Sequence, residues 1–238
     1  MTSIQTVNGH NHLLQLLISK NVKDVISQCE LIELTVGQAL MNPNEAVAYA
    51  YFPLSGIISW EKKISGCPYL LLSLIGSEGM LNINLNLNID QTSCRAIVLK
   101  HGFAWRMSVE KFEVLMQKNS AFSSVLKNYT FVVMSQLMQY SVCNHFHLLE
   151  CRLAKIFLML QSRAKAYELI ITHETLAQML GVRRVGITKA ASVLQRHNII
   201  RYSRGRVSIL NLPKLLQQSC VCYESDNAVY EKFLGTLN

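Results

Sequence analysis

Arg184, Val185, Thr188, Lys189 and Ser192 recur at helical steps, which places five side chains on one face of a helix. Their chemistry suits a DNA groove. A guanidinium offers paired N–H donors to guanine O6 and N7, and an isopropyl group can touch a thymine methyl. An ammonium and two hydroxyls can hold phosphate or base oxygens. Arg183 precedes the face, and Arg204 and Arg206 lie beyond the helix. We assign base reading to Arg184, and phosphate contacts to Arg183, Thr188, Arg204 and Arg206, which flank the reading face.

A face of this kind must be held against a scaffold. The opposite side of the same stretch, about Arg184 to His197, carries Ile187, Ala190, Ala191 and Leu194, an apolar stripe for packing. Upstream, Thr172 is a helix cap, with Glu174 in the first turn. Leu176, Met179 and Leu180 share a face, Ala177 permits close crossing, Gly181 suits a left-handed turn, and Val182 plugs that turn. Two helices joined this way form a helix-turn-helix. Downstream, Ile199–Tyr202 and Val207–Leu210 are strand-like, and Gly205 suits a tight turn. They predict a two-stranded wing tipped with arginines. A plain helical hairpin would show the same glycine, but charge separates the two readings. Residues 172–214 hold eight Lys/Arg and one acid, a balance of 8 − 1 = +7, within a chain of net charge +8. Positive charge concentrated in one segment is the footprint of a phosphate-binding module.

Composition bounds the remainder. The 238 residues, half of them hydrophobic, suffice for one large or two medium domains. No apolar run approaches the roughly 20 residues that span a bilayer, and the N-terminus lacks signal-peptide order. We therefore expect a cytoplasmic protein with no membrane partner. Seven scattered cysteines, an odd number, suggest free thiols. Three function classes fit a chain of this composition: a DNA-binding regulator, a small-molecule sensor whose winged domain mediates protein contacts, and an enzyme. The +7 segment favours the first over the second. Against the third, G-x-S-x-G, P-loop and H-E-x-x-H motifs and paired carboxylates in the β region are missing, so no catalytic residue is assigned.

Along the chain, residues 1–12 read as poorly ordered, and Leu13–Lys20 and Val22–Cys29 as short helices. From Cys29 to Leu99, β-prone runs (CELIELTVG, AVAYAYFPL, GIISWEKKI, YLLLSLIG, CRAIVL) alternate with Gly, Pro and Asn turns, the pattern of a β-sandwich or barrel. Asn82–Asn88 could be a strand, a polar loop or a short helix. Strands end near Trp105, and a helix over Ser108–Gln117 follows. A long helix from Ser120 to His145 repeats Phe122, Leu126, Tyr129, Val133, Leu137 and Tyr140 at three- and four-residue steps. Such a seam serves a core or a dimer coiled coil. Its place between a β domain and a DNA-binding domain favours the dimer. Leu148–Arg163 is a further helix, and Leu212–Cys220 a closing one. The expected fold class is α+β, with a β-roll (jelly-roll) over 1–119, a dimerisation helix over 120–145, a winged helix-turn-helix over 146–223 and a tail over 224–238.

This order, with ECRLAKIFLML, THETLAQMLGVRRVGITKAASVLQRHNIIRYSRGRVSIL and the tail SCVCY, resembles the Crp/Fnr superfamily of bacterial transcription regulators over roughly residues 20–223. The resemblance implies a homodimer on a two-fold symmetric DNA site and a β-roll related to cyclic-nucleotide-binding domains. It leaves room for two further partners, RNA polymerase and a small-molecule effector of unknown identity. Arg184 and Lys189 match basic reading residues of well-known members. Val185 stands where those have a glutamate and cannot accept from a cytosine amino group, so the operator should differ.

The cassette GSEGMLNINLNLNIDQTSCRAIVL departs from the cyclic-nucleotide pattern. Glu78-Gly79 falls before the cassette helix, Asn82 stands at the glycine position, and Gln91 rather than arginine precedes Thr92-Ser93. Arg95 aligns with the following strand. No cofactor-binding residue and no cofactor follow from this. Cys220 and Cys222 form a C-x-C pair, which needs two more ligands to hold a metal. Cys143, His147 and Cys151 can share a helix face near His145, and they read as a thiol row at a helix junction, with no metal assigned. The N-terminal cysteine cluster of an iron–sulfur sensor is missing.

Overall fold

The computed structural model describes residues 9–22, 24–63 and 65–237. They divide into two compact units. One comprises the described residues of Met1–Trp60, Ile75–Val133 and Tyr230–Asn238, the other those of Glu61–Leu74 and Met134–Val229.

The first unit begins with α1 (His12–Ser19). Asn11 caps it, its Oδ1 accepting from Leu14 N, while its Nδ2 donates to the carbonyls of Pro53 and Gly79. The ordered chain therefore starts before residue 12; the expectation for residues 1–8 lies outside the described residues. The helix expected over Val22–Cys29 is only a 3-10 turn at Ile26–Gln28.

Seven strands follow along the chain, of which β5 up to Leu74 and the last two residues of β4 are counted with the second unit: β1 (Glu30–Leu34), β2 (Ala39–Met41), β3 (Tyr49–Pro53), β4 (Ile57–Lys62), β5 (Leu70–Ile75), β6 (Arg95–Lys100) and β7 (Gly102–Ser108). They form a three-stranded sheet, β1-β7-β3, and a four-stranded sheet, β2-β6-β4-β5. Pairing of β1 and β3 with β7 is antiparallel, with Leu31 and Phe52 both opposite Trp105. Alternation along β6 buries Ala96 and Val98, as the two-residue period requires. Gly102 is obligatory, because a Cβ there would lie 2.3 Å from the Ser55 carbonyl carbon. The short β2 was not among the expected runs. Asn82–Asn88 takes the short-helix alternative, a 3-10 turn over Ile83–Leu87 bounded by Asn82 and Asn88 in the left-handed region, which asparagine tolerates better than most residues.

After α2 (Val109–Lys118), α3 runs unbroken over Ser120–Phe146. The seam expected at the dimer interface packs largely within its own chain. Phe122, Leu126, Tyr129 and Val133 are buried within their own chain. Tyr129 donates to the Met80 carbonyl, and Asn86 donates to Thr130 Oγ1 and to the Leu126 carbonyl. Side chains closed into the β-roll core have no surface left for a partner. Tyr140 is engaged as well, its hydroxyl donating to the Met179 carbonyl, and Leu137 is half-buried. Besides Phe131, the exposed apolar residues of α3 form a row on another face: Met134, Met138 (60 % exposed), Val142 and Phe146 (80 % exposed), at four-residue steps.

The second unit contains α4 (Leu149–Ala164), β8 (Glu168–Ile170), α5 (His173–Leu180), α6 (Arg184–Arg196), β9 (Ile200–Ser203), β10 (Arg206–Ile209) and α7 (Leu212–Gln218). The last helix, α8 (Cys222–Leu234), starts in this unit and ends in the first. The core joins Leu153, Ile156 and Phe157 of α4 to Leu176, Leu180, Ile187, Leu194, Val207 and Leu215, all buried. A buried ammonium, Lys155 Nζ, lies 2.6 Å from Asp226 Oδ2. Among the described residues no helix is long and apolar enough to cross a membrane.

Candidate nucleic-acid interface

Local chemistry builds the reading head. Thr172 caps α5, its Oγ1 accepting from Thr175 N at 3.0 Å. Gly181 ends α5 at φ +65°, and Val182 N then donates to the Ala177 carbonyl at 3.0 Å. This is the six-to-one bond of a glycine-terminated helix. Val182 itself is half-buried in the turn. Helix α6 starts two residues on, with Arg183 as its extended N-cap residue and no side chain capping its first N–H groups. Ile187, Ala190, Ala191 and Leu194 are buried, so the opposite face is fixed in orientation.

That face is presented outward. Arg183, Arg184, Val185, Thr188, Lys189 and Ser192 are all exposed. Val185 is a large aliphatic side chain open to solvent, a placement that a groove contact with a thymine methyl would reward. The hydroxyls are less free than their spacing suggests. Ser192 Oγ donates to the Thr188 carbonyl at 2.8 Å, and Thr188 Oγ1 lies 3.2 Å from the Arg184 carbonyl and 3.1 Å from His173 Nδ1. Each must give up a bond to its own chain before donating to a phosphate, so the two are weaker contacts than the cations.

The wing is a three-stranded sheet of order β8-β10-β9 rather than the two-stranded hairpin expected. Tyr167–Ile170 carries too short a β-prone run to stand out in sequence. Ser203 pairs with Arg206 across the two-residue turn Arg204-Gly205, both at positive φ (48° and 77°), the geometry that matches strand twist in a tight hairpin. Arg204 and Arg206 are exposed at this tip.

His173 is a member of the site that sequence reading missed. Its ring stacks on Tyr202 at 4.1 Å between centroids, tying the start of α5 to the wing. Tyr202 in turn donates to the Ile171 carbonyl. Burial, and then the nearby Arg184 charge, push the His173 pKa below its ordinary value, which favours the neutral imidazole.

In the cassette, Glu78 turns its carboxylate back on its own loop, where both oxygens accept from Gly76 N. The Thr92 hydroxyl accepts from Cys94 N. Asn82 is buried, its Nδ2 donating to the Tyr49 carbonyl. Leu81 and Leu85 are buried, whereas Leu87 is exposed.

Residues 151–218 match the Crp-like helix-turn-helix domain family. No curated protein matches the chain. Among solved structures, one assigned to the crp/fnr family of transcriptional regulators, from Eubacterium rectale, is 20 % identical. It aligns over 87 % of this chain and 96 % of its own, with a TM-score of 0.69. A CRP/FNR-family transcriptional regulator from Thermus thermophilus is 19 % identical, over 80 % of this chain and 98 % of its own, with a TM-score of 0.68. A c-di-GMP-responsive global regulator from Xanthomonas campestris is 13 % identical over 80 % and 98 %, with a TM-score of 0.65.

Proposed function

We propose that this chain, a regulator of the Crp/Fnr type in fold and in its helix-turn-helix domain, binds a two-fold symmetric DNA site as a homodimer. Its α6 would read bases and its wing would grip the backbone. The observation that carries the reading is the exposed face of α6, on which Arg184, Val185 and Lys189 stand clear of the core inside a segment of charge +7. A wing that served protein contacts would have no need of that charge. Two recognition helices related by a dimer axis reach successive major grooves about 34 Å apart.

Reading and anchoring are separable. Arg184→Ala should cost about 1–3 kcal/mol per half-site and relax the preference at one base pair. Arg206→Ala should weaken all sequences alike and reduce the slope of log affinity against log salt by roughly one. Titrations on the selected site and its single-base variants, at several salt concentrations, check both. An equal, sequence-independent loss for the two variants would make Arg184 a phosphate contact and remove its reading role.

The β-roll is proposed to respond to something other than cyclic AMP or cyclic GMP. A buried cyclic phosphate is a monoanion that needs a charge-assisted partner. Gln91-Thr92-Ser93 supplies only neutral donors, and the Glu78 carboxylate accepts from Gly76 N. Calorimetric titration with either nucleotide should show no binding at concentrations of tens of micromolar. A low-micromolar dissociation constant lost on Arg95→Ala would place that arginine on the phosphate and overturn the assignment.

A further inference from the structure

Two groups of residues that are far apart in sequence meet in the second unit. Cys143 lies on the last turn of α3, and His147 follows four residues later, its N–H donating to the Cys143 carbonyl, so the helical turn carries through to it. Cys220 and Cys222 lie at the joint between α7 and α8. Cys143 Sγ is 3.4 Å from Cys220 Sγ, and Cys222 Sγ is 3.4 Å from His147 Nδ1. One donor atom from each of the four residues lies within 4.8 Å of every other. The three thiols are buried and the imidazole half-buried.

We propose that Cys143, His147, Cys220 and Cys222 form a structural site for one thiophilic divalent cation of the zinc class. Zinc takes four ligands in a tetrahedron, with bonds of about 2.3 Å to sulfur and about 2.0–2.1 Å to nitrogen, which puts ligand atoms roughly 3.5–3.8 Å apart. The Cys143–Cys220 and Cys222–His147 pairs, both at 3.4 Å, lie just inside that edge. The others reach it by small side-chain movements. At 3.4 Å the Cys143 and Cys220 sulfurs are well beyond the about 2.05 Å of a disulfide. Three sulfurs and one imidazole fill a closed four-coordinate shell, which marks a structural rather than a catalytic site.

The surroundings fit as well. Gln139 Nε2 donates to Cys222 Sγ at 2.9 Å, the kind of outer contact that orients a thiolate ligand. Three thiolates around a dication leave one negative charge, and the Lys155 ammonium acts on both Cys143 and Cys220. Cys151 packs against the cluster outside the four-ligand set. A row of thiols in an apolar junction would explain burial alone. It would not explain an imidazole nitrogen and an amide N–H both directed at the same sulfur. Bound there, the ion clasps the connection that enters the winged domain to the one that leaves it. The site does not depend on the DNA-binding reading.

The test uses the full-length protein. Elemental analysis of protein purified under reducing conditions should find about one zinc per chain. X-ray absorption at the zinc edge should fit three sulfur ligands and one nitrogen. Reduced, chelator-stripped protein titrated with cobalt(II) should develop sulfur-to-cobalt charge-transfer bands and intense tetrahedral d–d bands, saturating at one equivalent. Cys143→Ser and Cys220→Ser should each lower zinc content and cobalt affinity at least tenfold, whereas Cys67→Ser and Cys151→Ser should leave both unchanged. Metal-free protein whose stripped, reduced form takes up no cobalt would overturn the proposal without recourse to any variant. So would a Cys143–Cys220 disulfide in the freshly purified protein, or full metal retention in the Cys143→Ser, Cys220→Ser double variant.

Discussion

Replacing Met134 and Met138 together by glutamate should leave the protein monomeric at micromolar concentration and lower its affinity for a two-half-site DNA by about 10²–10⁴-fold. These methionines, with Val142 and Phe146, are the apolar residues that the second half of α3 leaves in solvent, in a row along one helix. Burial against the same row of a second copy is the simplest way to remove them from water. Two carboxylates facing their symmetry mates would oppose that burial through both desolvation and repulsion. Affinity falls because binding of the second half-site is no longer intramolecular. Sedimentation and binding titrations measure the two effects, and a single half-site measures the intrinsic affinity, which should not change. Changing Val133 and Leu137 instead should damage the fold rather than the assembly, since Val133 is buried in its own chain. A monomeric wild type, or a Met134/Met138 variant that remains dimeric, would show that α3 is not the contact.

Asp226→Ala should destabilise the second unit by about 3–5 kcal/mol. It strands the Lys155 ammonium, whose side chain is only 4 % exposed and whose one ion-pair partner among the described residues is Asp226, at 2.6 Å. The pair itself is costly. Burial raises the Asp226 pKa despite Lys155 beside it, and a carboxylate with a raised folded-state pKa is stabilising at pH below its unfolded pKa and loses that contribution as pH rises through the folded value. At neutral pH desolvation therefore works against this residue. Lys155→Met combined with Asp226→Leu should accordingly recover most of the loss, and chemical denaturation of the three proteins would show it. A double variant as unstable as Asp226→Ala would mean that Lys155 has a further role that methionine cannot fill, such as offsetting the charge of the nearby thiol cluster.

The helix-turn-helix was legible in the chain because its signals are local. Thr172 caps its own helix, Gly181 takes its own left-handed turn, and the stripe from Ile187 to Leu194 needs only the helical period to separate buried from exposed faces. The existence and length of α3 were legible for the same reason, since no proline or glycine interrupts Ser120–Phe146. Which face of α3 is buried was not. The helix is apolar on two sides, and periodicity cannot say whether Phe122 or Met138 meets the chain's own β-roll. The 3-10 turn at Ile83–Leu87 and the carbonyl of Met80 decide that, through contacts with Thr130 and Tyr129 made 44 and 49 residues away in sequence. The cysteines show the limit most clearly. In sequence, C-x-C and a Cys–His pair four residues apart are each half of a ligand set, too little to hold an ion alone. Seventy-seven residues separate Cys143 from Cys220, and only the packing of α4, α7 and the start of α8 brings the halves within bonding reach of one ion, because side-chain spacing along a chain fixes neighbours within an element and tertiary packing alone fixes neighbours between elements.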